Sequence, residues 1–264
     1  MNEIYTKLFV IFLKVCLIIV LIKHGLHQAS NIEKIDEPLI LKFTFEMKKN
    51  IYFIFLLFTG FSCAPSRFVK PLEQGEKAVN ISLGGPLIAF SGMTIPIPLT
   101  TITGAYGFKQ NTTLFASWHT TAALFETVQA EVGVVQQLIK QNNFIPAITT
   151  TPVANVLFNK NHFNFYPQLD VNAYWHYLQK KNFFYIGVNN WFELRQTRTH
   201  NEPQTKHWFV SPQIGHTIVR NKWNYTLELK YVAINKSHEN IVVEYKSPSS
   251  NGAIGVYIGI SRKF

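Results

Sequence analysis

Residues 163–177 read FNFYPQLDVNAYWHY, and they alternate between two kinds of side chain. On one face of an extended chain stand Phe163, Phe165, Pro167, Leu169, Val171, Ala173, Trp175 and Tyr177; the other face carries Asn164, Tyr166, Gln168, Asp170, Asn172, Tyr174 and His176. A period of two places successive side chains on opposite faces of a strand. The pattern returns with Phe184, Ile186, Val188, Asn190, Phe192 and Leu194 against Tyr185, Gly187, Asn189, Trp191 and Glu193. It returns again with Trp223, Tyr225, Leu227, Leu229 and Tyr231 against Asn224, Thr226, Glu228 and Lys230. Globular strands average only about five or six residues. Runs this long constrain the chain from Lys77 onward to an all-β fold with unusually tall strands.

Two further features separate a membrane barrel from a soluble sandwich. Charged residues make up 15% of the 264-residue chain, against roughly 25% in an average soluble domain. The polar faces carry Asn, Gln, Tyr, Thr and Gly where a solvent face would carry Lys and Glu, which suits a wet, enclosed interior. Phe165 and Trp175 lie ten residues apart, about 33 Å when extended. Tilted by about 40°, that becomes about 25 Å, the height of the apolar band on an outer-membrane barrel with aromatic girdles at both edges. The expected fold is an antiparallel transmembrane β-barrel of about ten strands (eight to twelve). Strands are expected near 77–90, 98–109, 111–121, 126–139, 144–158, 162–178, 182–196, 205–220, 222–236 and 251–264. The tight turns KQN, KQNN, QKKN and RNK contrast with the long loops QTRTHNEPQTK and NKSHENIVVEYKSPSSNG. Short turns at one end and long loops at the other fit such a barrel. Pro146 and Pro152 make 144–158 the weakest strand. The rival fold is a lipid-anchored soluble β-domain acting as a binding module.

The chain closes with GAIGVYIGISRKF. Val256, Ile258, Ile260 and the terminal Phe264 share a face, and the last strand resembles the recognition signal of Gram-negative outer-membrane β-barrel proteins. Arg262 departs from that pattern. The resemblance, which covers residues 77–264 as architecture, implies a place in the cell outer membrane and insertion by a barrel assembly machinery that reads this strand. Outer-membrane lipid is then a partner, and the barrel is expected as a monomer.

Two apolar runs precede the barrel, at 8–22 and 51–62. Read from Met47, the second has a basic start (Lys48, Lys49), an apolar stretch and then Gly60-Phe61-Ser62-Cys63, the layout of a secretory signal. Residues 1–46 then read as an upstream extension, 47–62 as the signal peptide, 63–76 as a linker and 77–264 as the barrel. The alternative for 1–46 is a membrane helix with a linker. The stretch before Cys63 resembles a bacterial lipobox, which implies lipidation of Cys63; Gly60 departs from the motif. Ordinary cleavage after Ala64 competes with it, although Pro65 would follow that cut.

Net charge is +10, but the cations are scattered, with no Lys/Arg block interleaved with aromatics of the kind that tracks nucleic acid. An anionic membrane surface is the more natural partner. Cys16 and Cys63 are the only cysteines, too few for a disulfide framework or a zinc site. No cofactor is expected, and the spacing of His200, His207 and His216 offers no metal geometry. Small outer-membrane barrels with hydrolytic activity on lipids use a serine activated by a histidine. The nearest match is Ser117 with His119, two residues apart on one strand; a structural role is the simpler reading for them and for His176. Asp170, Glu193, Arg195, Glu228 and Lys230 are expected to face inward and pair, since isolated buried charges are costly. A ten-stranded lumen is narrow and mostly filled. The expected role is structural, surface-interacting or that of a narrow pore, with no catalytic site.

Overall fold

The computed structural model describes residues 67–90, 92–160, 162–177, 181–197, 203–237 and 244–264. Cys63 and the stretches expected as signal peptide (47–62) and upstream extension (1–46) lie outside them. Eleven strands follow in order: β1 (Lys77–Phe90), β2 (Met93–Pro96), β3 (Leu99–Lys109), β4 (Thr112–His119), β5 (Val128–Ile139), β6 (Ala147–Phe158), β7 (Phe163–Tyr177), β8 (Asn182–Phe192), β9 (Trp208–Arg220), β10 (Trp223–Ser237) and β11 (Asn251–Lys263). A single turn of helix, α1 (Thr120–Ala123), lies between β4 and β5.

Neighbouring strands pair antiparallel, and β11 pairs back onto β1, with Ile81 opposite Ile260 on one side and Ile102 on the other. The sheet is therefore closed. β2 and β3 form one stave of the barrel, because both hold the same register on β1: Leu87 faces Pro96 and Gly84 faces Leu99. The break between them falls at Ile97 and Pro98, where proline has no N–H to give the ladder. Counted this way the barrel has ten staves. The weakest of the expected strands is present as β6. Its ladder to β7 runs unbroken from Ala147 to Phe158, whereas its ladder to β5 passes from Val153 to Thr150 without Thr151 or Pro152. The cost of Pro152 is confined to one side.

The strand ends Lys109, Ile139, Tyr177 and Arg220, from which the short connections leave, share one end with Lys77 and Lys263, while Phe192, Trp208, Ser237 and Asn251, which flank the long ones, share the other. Ile81, Ile102, Val132, Ile186, Ile214, Leu227 and Ile258 are all exposed on the outer wall. Trp118, Phe163, Phe165 and Trp208 ring it toward the loop end, and Tyr106, Phe108, Phe184, Trp223 and Phe264 toward the turn end. Each such side chain left in water forgoes about 1.5–3 kcal/mol. A closed barrel cannot bury this belt in itself, so hydrocarbon must cover it, and closure leaves no unpaired strand edge there. Inside stand the buried Ser82, Thr101, Thr103, Asn155, Gln168 and Asn172. Arg262, the departure from the terminal pattern, points outward with its guanidinium over the rings of Trp223 at 5.4 Å and Phe264 at 5.1 Å. It joins the girdle as a cation on aromatic faces.

Candidate functional site in the barrel lumen

The interior is not lined by polar residues alone. At the turn end Ala78, Ala105, Phe115, Val135 and Val153 form an apolar patch that receives Leu72 and Phe68. Ala147, Tyr174, Phe183 and Tyr185 form another that receives Val69. Phe68, Val69 and Leu72 precede β1, so residues 67–72 run along the inside of the barrel, while Glu73, Gln74 and Gly75 are exposed at its turn end. The wall also holds this segment by its backbone. Leu72 N–H donates to Thr113 Oγ1 at 2.7 Å, Thr149 Oγ1 donates to the Val69 carbonyl at 3.0 Å, and Gly75 N–H donates to the Gly107 carbonyl at 2.8 Å. Gly107 is required here, because a Cβ at that position would stand 1.9 Å from the Glu73 carbonyl oxygen.

Arg67 reaches deepest. Its Nε donates to Glu131 Oε2 at 2.9 Å, and one terminal nitrogen donates to Glu131 Oε1 and Gln168 Oε1, both at 2.7 Å. The other terminal nitrogen donates to Asp170 Oδ2 at 3.1 Å. The two-pronged contact with Glu131 uses the planar fork that lysine lacks. The carboxylates have their own supports: Asn155 Nδ2 donates to Glu131 at 2.8 Å, and Asn189 donates to Asp170. His119 Nε2 lies 3.0 Å from Glu131 Oε1, close enough for charge interaction though not aligned for a hydrogen bond. A second cluster sits on the opposite wall, where Tyr185 donates to Glu228 at 2.7 Å and Lys230 Nζ lies 3.2 Å from the same carboxylate. Lys230 also stands 5.4 Å above the Tyr257 ring. Gly215 makes room for Tyr185, whose ring carbon would be 2.1 Å from a Cβ there.

Of the five charges expected to face inward, Asp170, Glu228 and Lys230 are buried in the lumen. Glu193 is buried beyond the end of β8, paired with a half-exposed Arg195 at 3.0 Å. Glu131 and Arg67 lie outside that expectation. Glu131 stands at an inward position of β5 and is legible from its alternation; nothing local marks Arg67, which precedes the first strand. Ser117 and His119 share the inner face of β4 but are not joined. Ser117 Oγ bonds Thr103 Oγ1 at 2.9 Å, and His119 Nδ1 bonds Thr101 Oγ1 at 3.1 Å. Val256, Ile258 and Ile260 face outward on β11, and Phe264 N–H donates to the Lys77 carbonyl at 2.9 Å, which fastens the end of the chain to the first strand.

No protein-family model matches the chain, and no curated protein matches it. Among solved structures it is similar to the translocator domain of the autotransporter NalP from Neisseria meningitidis, at 9% identity over 86% of this chain and 98% of that one, with a TM-score of 0.41. It is also similar to the outer membrane protein OprG from Pseudomonas aeruginosa (12% identity, 75% of this chain and 99% of that one, TM-score 0.28). The attachment invasion locus protein Ail of Yersinia pestis matches at 8% identity over 72% of this chain and 99% of that one, with a TM-score of 0.25. What establishes the fold is the chain's own closed registry of ten staves with its apolar belt outside. By fold the chain is a closed antiparallel β-barrel with an apolar outer wall.

Proposed function

We propose that this protein works as an outer-membrane barrel with a structural or surface-contact role, that it does not conduct freely, and that it carries no catalytic site. The supporting observation is the lock of Arg67 onto Glu131 and Asp170, which holds residues 67–72 in the lumen. With the lumen so occupied, the parts free to meet partners are the long loops and the outer wall. The turn end carries Lys77, Lys109, Lys140, Arg220 and Lys222, a charge pattern suited to anionic lipid headgroups. Lipidation of Cys63 belongs to the same reading: it would hold the unfolded chain at the membrane while the Phe264 strand is read, since a closed barrel needs no further anchor. The test is conductance of the purified full chain in planar bilayers. Silence or rare, brief openings are expected; a steady ohmic pore would overturn the reading.

A further inference from the structure

A cavity of about 180 Å³ remains between residues 67–72 and the wall formed by β8–β11 and β1, at the turn end of the lumen. Asn80 on β1, Ser261 on β11 and Asn224 on β10 line it, and they stand in one row: Ser261 is the register partner of both asparagines. Asn80 is 7% exposed and Ser261 6%, and Asn224 Oδ1 is buried without a hydrogen-bond partner among the described residues. Three adjacent strands thus turn polar side chains toward one space, and a buried polar atom left unpaired, as at Asn224, is costly. The rim is cationic. Lys70 from the lumen segment, Lys181 from the turn just before β8 and Lys263 from β11 converge on it. The carboxylates near them are Glu73 and Glu76, and Glu76 is bound to Lys263 at 3.1 Å, so a positive surplus remains. Arg67 lines the inner end but is committed to Glu131 and Asp170.

We propose that this cavity is a binding site for a small phosphate-bearing polyol of the size of glycerol phosphate. The volume equals that of about six water molecules. The amides and hydroxyl both donate and accept, as polyol hydroxyls require, and the ammonium groups meet the phosphate at the mouth. The same chemistry arises from free glycerol phosphate or from the headgroup of a phosphatidylglycerol in the leaflet at the turn end.

The test uses the full chain folded in zwitterionic detergent. Calorimetric titration with glycerol 1-phosphate should show saturable one-to-one binding, with glycerol inert and inorganic phosphate weaker. Lys181→Gln and Ser261→Ala should each weaken it about tenfold, the loss of one good polar contact, while Lys160→Gln at the opposite end leaves it unchanged. Heat-modifiable migration checks that each variant is folded, and Lys181→Gln, in an exposed turn, serves if Ser261→Ala does not fold. Native mass spectrometry after extraction from vesicles of mixed phosphatidylglycerol and phosphatidylcholine identifies the source. One retained phosphatidylglycerol, lost in Lys181→Gln, assigns the site to the lipid; titration by the free phosphate alone assigns it to the soluble ligand. No saturable binding in either arm, or binding indifferent to both substitutions, overturns the proposal.

Discussion

Arg67 shows how one side chain can decide whether a lumen is filled. Its guanidinium answers two carboxylates that the wall has already taken out of water, at 2.7 Å and 3.1 Å. Removing one partner of a buried ion pair strands the others, at about 3–5 kcal/mol. Arg67→Ala should therefore lower the unfolding free energy of the barrel by that order, seen as a fall in the urea midpoint at which heat-modifiable migration is lost. Glu131→Gln should cost less, because Arg67 keeps Asp170 and the amide oxygen still accepts. Equal losses in the two variants would overturn this ranking and show that the charge of Glu131 carries the whole network. At the other end of the chain, Phe264 closes β11 onto Lys77. Phe264→Ala is expected to slow the appearance of the folded form in cells several-fold, in a pulse-chase of newly made chain, while Arg262→Ala changes it little. Arg262 can be dispensed with because it decorates the girdle with a cation–π contact of about 0.5–1 kcal/mol.

Among the elements, the segment 67–76 has no regular structure of its own beyond one turn between Glu73 and Glu76, and the other bonds that hold it come from the wall. Gly107 is the narrowest of those contacts. Gly107→Val suits the extended backbone of β3 but puts side-chain atoms where the Glu73 carbonyl lies. The barrel should then persist while the segment leaves. Trypsin cleavage after Arg67 should rise sharply in the folded variant (Lys70 is shielded by the following Pro71), and brief conductance steps should lengthen. Protection equal to wild type would mean that the lumen contacts of Phe68, Val69 and Leu72 suffice without the backbone bonds. β6 illustrates the opposite case, an element that keeps its place despite Pro152 because the ladder to β7 runs through that residue and only the β5 side gives way.

At the scale of the molecule, closure decides behaviour. Ten staves with no free edge and an apolar belt predict that the unboiled protein migrates faster than the boiled one and stays with membranes through carbonate washing; release by carbonate would favour a soluble domain on a lipid anchor. Fatty-acid labelling of the intact chain, lost in Cys63→Ser, is expected if the lipobox resemblance holds. A mature chain starting at Pro65 without added lipid would make Cys63 incidental.

The walls are legible in the sequence because alternation is a local property: each residue of 163–177 declares its face by its own polarity, and the barrel's two environments demand that declaration at every step. Strand positions, the short and long ends, and the inward placement of Asp170, Glu228 and Lys230 follow from that. What alternation cannot carry is contact between residues far apart in the chain. Arg67 meets Glu131 and Asp170 only because closing β11 onto β1 makes one enclosed space of ten separate staves, and the row of Asn80, Ser261 and Asn224 exists only across that closing seam. Residue order is enough to specify the wall, because burial against hydrocarbon or water acts on single residues. What fills the wall depends on the closed barrel, because charge pairing and cavity shape act between residues that register alone brings together.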